Sequence, residues 1–167
     1  LFNKAGIKNL DQKMIVHKIQ KPLHLSDNGS YIVIFPYQGL KISYTLDYDH
    51  PVVGTQFYEF DSNEDSFIDN IAPARTFGFE REVKALHKRG LALGGSLDNA
   101  VLIGEKTTVN PLRFPDEFVR HKILDIIGDM ALNGFITGHI VAIKSGHYLN
   151  TKLAQKLFQY FKTGGRS

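Results

Sequence analysis

One segment alternates between apolar and polar residues with a period of two, and it constrains the fold more than any other. Between residues 40 and 47 the apolar positions are Leu40, Ile42, Tyr44 and Leu46, and the polar positions are Lys41, Ser43, Thr45 and Asp47. Successive side chains of a strand point to opposite faces of a sheet, so the pattern predicts a strand with one buried face. A fold that contains this strand needs a second layer to cover the apolar face.

The segments that precede this strand are also typical of β-structure. Residues 31–35 are rich in β-branched and aromatic side chains, and the turn sequences Asp27-Asn28-Gly29 and Gln38-Gly39 lie on either side of them. A looser alternation covers residues 14–19. The sequence up to about Pro51 therefore predicts an antiparallel meander.

Apolar periodicity and end signals predict helices over residues 62–73, 115–132 and 150–161. Ser62 resembles the first residue of a capping box, and Pro115 suits the first position of a helix. Asn150 is expected to be the N-cap of the last helix.

The order of elements, strands first and helices later, favours an α+β fold. We predict a mixed, mainly antiparallel sheet packed against helices, in a domain over residues 13–163. Residues 80–103 combine a helix with short strands on both sides of Gly94-Gly95-Ser96, which predicts a compact inserted unit of helix and strands. Residues 164–167 are expected to be a disordered tail.

The composition excludes several function classes. The chain has no cysteine, which excludes disulfide frameworks, thiolate zinc sites and cysteine nucleophiles. The net charge of +3 is too small to predict a nucleic-acid partner without a clustered basic patch. No apolar run approaches the roughly 20 residues that a membrane-spanning helix needs, so no membrane span is expected.

The predicted helix over residues 115–132 carries His121, Asp125 and Asp129 at intervals of four. Such residues lie nearly on one line of a helix, with neighbouring Cβ atoms about 5–6 Å apart. An imidazole and a carboxylate at this spacing can bind one divalent ion, zinc or ferrous iron. An exposed ion pair is the alternative, because the spacing is common by chance. Neighbouring Ile123 and Ile126 favour the metal, since buried ionisable groups need partners.

Two further residues are candidates for chemistry. His147 follows Ser145-Gly146 at the end of a predicted strand, where catalytic side chains are often found, although a surface histidine fits the same position. Thr76 is either a hydroxyl donor or an ordinary strand residue. Gly94-Gly95-Ser96 lacks the Lys-Ser/Thr of a phosphate-binding loop and indicates close backbone packing instead.

Four motifs in order resemble the LpxC family, the UDP-3-O-acyl-N-acetylglucosamine deacetylases of lipid A synthesis in Gram-negative bacteria. They are RTFGF at 75–79, LGGSLDNA at 93–100, LRFPDEFVRHKILD at 112–125 and KSGH at 144–147. The resemblance covers residues 5–161 and matches the second of the family's two similar α+β domains. It implies that residues 1–12 are a linker from a missing first domain, and that the protein is bacterial and cytoplasmic.

The resemblance also implies catalytic roles. His121 and Asp125 would bind the catalytic zinc, with ferrous iron as a possible substitute. Asp129 would orient His147, which would stabilise the oxyanion or protonate the leaving amine. Thr76 would donate its hydroxyl to the tetrahedral intermediate.

The substrate implied by the resemblance is UDP-3-O-acyl-N-acetylglucosamine. Asp47 and Tyr48 match the place where the family holds the uridine, and Lys122 would neutralise substrate charge. Residues 80–103 resemble the inserted βαβ unit whose apolar walls hold the acyl chain in the family. The residues expected along the acyl chain are Phe77, Gly78, Val83, Ala92, Ser96, Leu97 and Ala100.

Two departures from the family matter. The family's third zinc ligand and its general base form a Glu-His pair in the first domain, and no Glu-His dipeptide occurs in this sequence. Catalytic zinc normally has three protein ligands, so the chain alone is expected to be inactive. A non-catalytic module that binds the UDP-acyl-sugar is the alternative. Ser30 stands where the family often has a lysine, which predicts rearranged uridine or phosphate contacts.

Overall fold

A computed structural model of the chain describes residues 8, 11, 15–90 and 94–164. Most of the predicted linker over residues 1–12, Ala92 with its predicted short strand, and residues 165–167 of the predicted tail lie outside these ranges.

The main layer is a mixed sheet that contains most of the described strands. They are β1 (Val16–Lys18), β2 (Leu23–Asp27), β3 (Ser30–Phe35), β4 (Leu40–Asp47), β5 (Thr55–Asp61) and β8 (Phe135–Ile143). Their order is β2-β3-β8-β4-β5, and β1 pairs with the start of β8. A smaller parallel sheet consists of β6 (Thr76–Phe79) and β7 (Ala100–Ile103).

The described helices lie between these strands and after them. They are α1 (Phe67–Asn70), α2 (Glu80–Lys88), α3 (Glu117–Met130) and α4 (His147–Lys162). In the main sheet β2/β3, β3/β8 and β4/β5 are antiparallel, whereas β4/β8 and β1/β8 are parallel. The predicted α+β class, with a mixed sheet packed against helices, is confirmed.

Helices α3 and α4 provide the layer that the alternating strand requires. Ile42, Tyr44 and Leu46 of β4 are at most 1% exposed, which confirms the predicted buried face. They share one apolar core with Ile123 of α3 and Leu153 of α4. Burial of these side chains fixes α3 against the sheet, and α3 is the helix that carries the candidate ligands.

The predicted meander is wrong, because β8 lies between β3 and β4. Ile140 of β8 pairs with Ile34 on one side and Ile42 on the other. The alternation in β3 and β4 identified their buried faces, but it contains no information about which strand is the neighbour. Gly138 lets β8 approach closely, since a Cβ there would lie 2.8 Å from the Ile34 side chain.

The helix predicted from Ser62 is a single turn that begins later. The Ser62 hydroxyl accepts a hydrogen bond from the Leu40 amide instead of capping a helix. Ser66 is the N-cap of α1 and accepts from the Asp69 amide. Either serine hydroxyl can accept a hydrogen bond from a backbone amide. The Ser62 hydroxyl is already bonded to the Leu40 amide of β4, so Ser66 caps the helix.

The smaller sheet has the βαβ arrangement, with α2 following β6 directly and β7 parallel to β6. Its first strand is residues 76–79, ahead of the predicted start of the unit at residue 80. In the part of the chain that the structure describes, no helix combines the length and apolarity needed to cross a membrane.

Candidate active site

Helix α3 presents His121 and Asp125 on adjacent turns of one face. The distance from His121 Nε2 to Asp125 Oδ1 is 3.3 Å. His121 Nδ1 lies 3.1 Å from the Ala74 carbonyl oxygen. A carbonyl oxygen only accepts, so Nδ1 donates to it, and Nε2 is the ring nitrogen that faces the Asp125 carboxylate. A histidine that binds a metal through one nitrogen is usually fixed in this way through the other.

The Asp125 carboxylate lies at the centre of the polar groups. Lys122 Nζ is 3.1 Å from Asp125 Oδ2, and His147 Nε2 is 3.8 Å from Asp125 Oδ1. The Asp125 side chain is only 10% exposed, whereas that of His147 is 68% exposed. The structure therefore brings three predicted site residues to one carboxylate and leaves the second histidine open to solvent.

Asp129 lies one turn further along α3 and contacts His147. His147 Nδ1 is 2.9 Å from Asp129 Oδ2, and the same oxygen accepts from Asn150 Nδ2 at 2.9 Å. Asn150 Oδ1 accepts from the Ser145 hydroxyl at 2.6 Å. The chain Ser145–Asn150–Asp129 therefore supports the imidazole of His147.

The prediction of Asn150 as an N-cap is wrong. Helix α4 begins at His147 with Gly146 as its N-cap, and Asn150 is 1% exposed within the first turn. Its amide is used to position Asp129, a role that asparagine can fill as readily as a cap. Sequence reasoning missed this role, although the spacing of three residues from His147 places both side chains on one helix face.

The donor set fits part of a zinc or ferrous iron centre. One imidazole nitrogen and one carboxylate oxygen are donor types that both ions accept. Among the side chains that the structure describes, no group of three histidine or acidic residues is arranged to hold a metal. A catalytic zinc normally has three protein ligands, and the His121–Asp125 pair offers donor atoms for two of them.

An apolar groove of about 370 Å³ runs beside this site. Its lining contains the predicted residues Thr76, Phe77, Gly78, Val83, Ser96, Leu97 and Ala100. The Phe77 ring packs edge-on against His121 and lies under Lys122 Nζ, at 6.4 and 5.5 Å from the ring centroid. Phe77 therefore separates the apolar groove from the His121–Asp125 pair.

A second, polar pocket of about 250 Å³ lies on the other side of Lys122. Its lining residues are Ser30, Tyr44, Leu46, Asp47, Tyr48, Lys122, Lys144 and Ser145. The three residues predicted to meet the uridine and the substrate charge are thus in one pocket.

Sequence reasoning missed Lys144 in this pocket, although the residue opens the KSGH motif. Lys144 Nζ is 3.1 Å from Asp47 Oδ2, and the Ser30 hydroxyl donates to the Lys144 carbonyl. Hydrogen bonds from Thr55 and Lys144 hold the pKa of Asp47 below its usual value. The Ser30 hydroxyl therefore fixes the backbone of Lys144 at this pocket.

Comparison with known proteins identifies the family. The family model described as LpxC, UDP-3-O-acyl N-acetylglycosamine deacetylase, matches residues 1–159. The chain belongs to the LpxC family.

Curated members of the LpxC family include a UDP-3-O-acyl-N-acetylglucosamine deacetylase of Oleidesulfovibrio alaskensis. It is 46% identical over 163 residues, which are 96% of this chain and 53% of that protein. A protein of the same name from Campylobacter jejuni is 41% identical over 162 residues, which are 95% of this chain and 55% of that protein. The chain spans about half the length of the curated relatives it matches.

Proposed function

We propose that this chain supplies one half of the active site of a zinc-dependent deacetylase. The substrate is UDP-3-O-acyl-N-acetylglucosamine, and the reaction belongs to lipid A biosynthesis in the bacterial cytoplasm. The observation that carries the proposal is the position of the His121–Asp125 pair between an apolar groove and a polar pocket. An acyl chain, an acetamide and a nucleotide joined in one molecule require these three surfaces side by side.

The metal ligands in this chain are His121 Nε2 and Asp125 Oδ1. A bound zinc ion polarises a carbonyl and lowers the pKa of a bound water toward about 7. Ferrous iron suits the same nitrogen and oxygen donors. The third ligand and the general base come from the Glu-His pair of the family's first domain, which is the proposed partner of this chain.

His147 is the proton donor in this proposal. Asp129 holds Nδ1 of the imidazole, and Asn150 in turn donates to Asp129. His147 Nε2 therefore faces the site at Asp125, where its proton is available to the leaving amine. The Thr76 hydroxyl, at the groove, donates to the oxyanion of the tetrahedral intermediate. Lys122 lies beside Asp125 and at the polar pocket, where its charge neutralises an anionic group of the substrate.

The experiment is zinc titration of the full-length natural protein, followed by an assay of acetate release. We expect His121→Ala and Asp125→Ala to weaken zinc binding by more than the roughly 10–100-fold that loss of an outer-shell partner costs. His24→Ala is the matched control, because His24 lies exposed on β2 and is expected to leave zinc affinity unchanged. Equal zinc affinity in all three variants would refute the metal assignment.

A non-catalytic binding module is the second candidate. It is favoured by the presence of only two converging metal donors among the described residues. It predicts that the protein binds the UDP-acyl-sugar equally well with and without zinc and releases no acetate. The proposed deacetylase predicts that this chain alone is inactive and that addition of the first domain restores acetate release.

A further inference from the structure

An ion pair lies buried behind the apolar groove, outside the residues assigned so far. Arg75 is 8% exposed and Glu117 is fully buried. Arg75 Nε is 2.8 Å from Glu117 Oε1, and Arg75 Nη2 is 3.0 Å from Glu117 Oε2. The two parallel bonds give the pair a defined geometry that a single contact would lack.

The same guanidinium holds the wall of the groove. Arg75 Nη1 donates to the Leu97 carbonyl at 3.0 Å, and Nη2 donates to the Pro111 carbonyl at 2.7 Å. Asn110 Nδ2 also donates to the Leu97 carbonyl, at 2.8 Å, and to the Ala100 carbonyl at 2.9 Å. Leu97 and Ala100 line the groove, so Arg75 and Asn110 together fix the backbone of that wall.

Glu117 connects this wall to the metal-ligand helix. Glu117 precedes His121 by one turn of α3, and its Oε1 accepts from the Arg75 amide at 2.9 Å. The imidazole of His121 bonds the carbonyl of Ala74. Two successive turns of α3 are therefore bonded to the backbone of Ala74 and Arg75. The next residue in the chain is Thr76, at the groove.

We propose that Arg75 is a positioning residue that fixes the groove relative to the His121–Asp125 pair and thereby selects substrates by acyl chain. This inference rests on the proposed function. Removing one partner of a buried ion pair is destabilising, but the intact pair contributes little net stability compared with apolar side chains. Its distinctive contribution here is geometry, because one planar group bonds the groove wall and α3 together.

Electrostatics keeps this link intact at neutral pH. Burial alone raises the pKa of Glu117, but bonds from Arg75 and from the Arg113 amide outweigh it and hold the pKa below its usual value. The carboxylate is therefore ionised, and Arg75 keeps its charged partner.

The test measures acyl-chain selectivity in the full-length natural protein. The readout is the ratio of kcat/KM for a long-chain 3-O-acyl substrate to kcat/KM for its 3-O-acetyl analogue. We expect Arg75→Lys to lower this ratio about tenfold, because a lysine cannot bond Glu117 and the Leu97 carbonyl with the same fork. Asn110→Ala should change the ratio in the same direction. If Arg75→Lys does not fold, Asn110→Ala provides the test in its place.

Arg120→Lys is the matched control. Arg120 lies on the same helix and is partly buried, but it bonds Asp116, Tyr58 and Asn70 and no residue of the groove. We expect it to lower Tm and leave the selectivity ratio unchanged. Folded Arg75→Lys and Asn110→Ala proteins with the wild-type ratio would overturn the inference and make the pair purely structural.

A binding measurement separates this inference from the proposed function. A dansyl-labelled long-chain fatty acid is titrated into wild-type protein and each variant without zinc. We expect Arg75→Lys to weaken binding of this probe and Arg120→Lys to leave it unchanged. If wild-type protein releases no acetate, the proposed function fails; equal probe affinity in Arg75→Lys and wild type would then overturn the inference as well.

Discussion

The hydrogen bond between Ser145 and Asn150 gives a quantitative prediction that does not depend on function. The Ser145 hydroxyl donates to Asn150 Oδ1 at 2.6 Å, and the two residues are 4% and 1% exposed. Water therefore cannot replace either partner without a change in the structure. The perturbations are Ser145→Ala, Asn150→Ala and the double variant.

Each single variant leaves a buried polar atom without its partner. Such an atom costs about 1–3 kcal/mol of unfolding free energy. Asn150→Ala also removes the bond to Asp129, which still has His147 as a partner, and we expect about 1 kcal/mol more. In the double variant neither buried atom is left without a partner. Its loss of unfolding free energy should therefore be about 1–2 kcal/mol smaller than the sum of the losses in the single variants.

The assay is urea denaturation followed by far-UV circular dichroism, since the chain has no tryptophan to report by fluorescence. Thr151→Ala provides a control in the same turn of α4, because its hydroxyl only bonds carbonyls of its own helix and is partly solvated. It should show no coupling with Ser145→Ala. Additive losses for Ser145 and Asn150 would refute the assignment of a buried, specific bond between them.

Two further predictions concern stability. Glu117→Gln leaves the Arg75 guanidinium without its buried counter-ion, and we expect a loss of about 3 kcal/mol in the free energy of unfolding, measured with urea. The folded pKa of Glu117 lies below the ordinary glutamate value of 4.5, so its contribution is fully present above about pH 4.5 and is lost as pH falls through the folded pKa. The difference in unfolding free energy from wild type should therefore shrink in acid, and a constant difference would contradict this. Gly138→Ala should lower Tm because its Cβ would lie 2.8 Å from the Ile34 side chain. Gly128→Ala should raise Tm, because the new Cβ would meet no atom within 4 Å and alanine favours an exposed helix more than glycine does. Equal shifts of Tm in the two variants would contradict this packing.

Local patterns in the sequence were sufficient to predict individual elements but not their neighbours. The period of two in β4 identified its buried face because the residues that point to the core are apolar and those that point away are mostly polar. The insertion of β8 between β3 and β4 depends on contacts across the chain, which a local pattern does not encode. The same limit explains Ser62 and Asn150, whose side chains bond distant groups instead of capping helices.

The candidate site shows a similar division. The interval of four residues placed His121 and Asp125 on one helix face, and the structure brings His147 and Lys122 to the same carboxylate. Glu117 escaped sequence reasoning because an acidic residue in the first turn of a helix is normally explained by the helix dipole. Its burial and its bonds to Arg75 follow from tertiary packing alone. The zinc, substrate and acyl-chain assignments remain predictions that the experiments above test.

The central position of β8 has a consequence for how the chain folds during synthesis. Thr45 of β4 pairs with Ile143, which leaves the ribosome nearly one hundred residues later. At about 5–20 residues per second, β3 and β4 wait on the order of 5–20 s for the strand that separates them. During that interval the two strands are free to pair with each other as a simple hairpin. A hairpin formed in that interval would have to open before β8 could enter, so it would compete with the native sheet and slow folding.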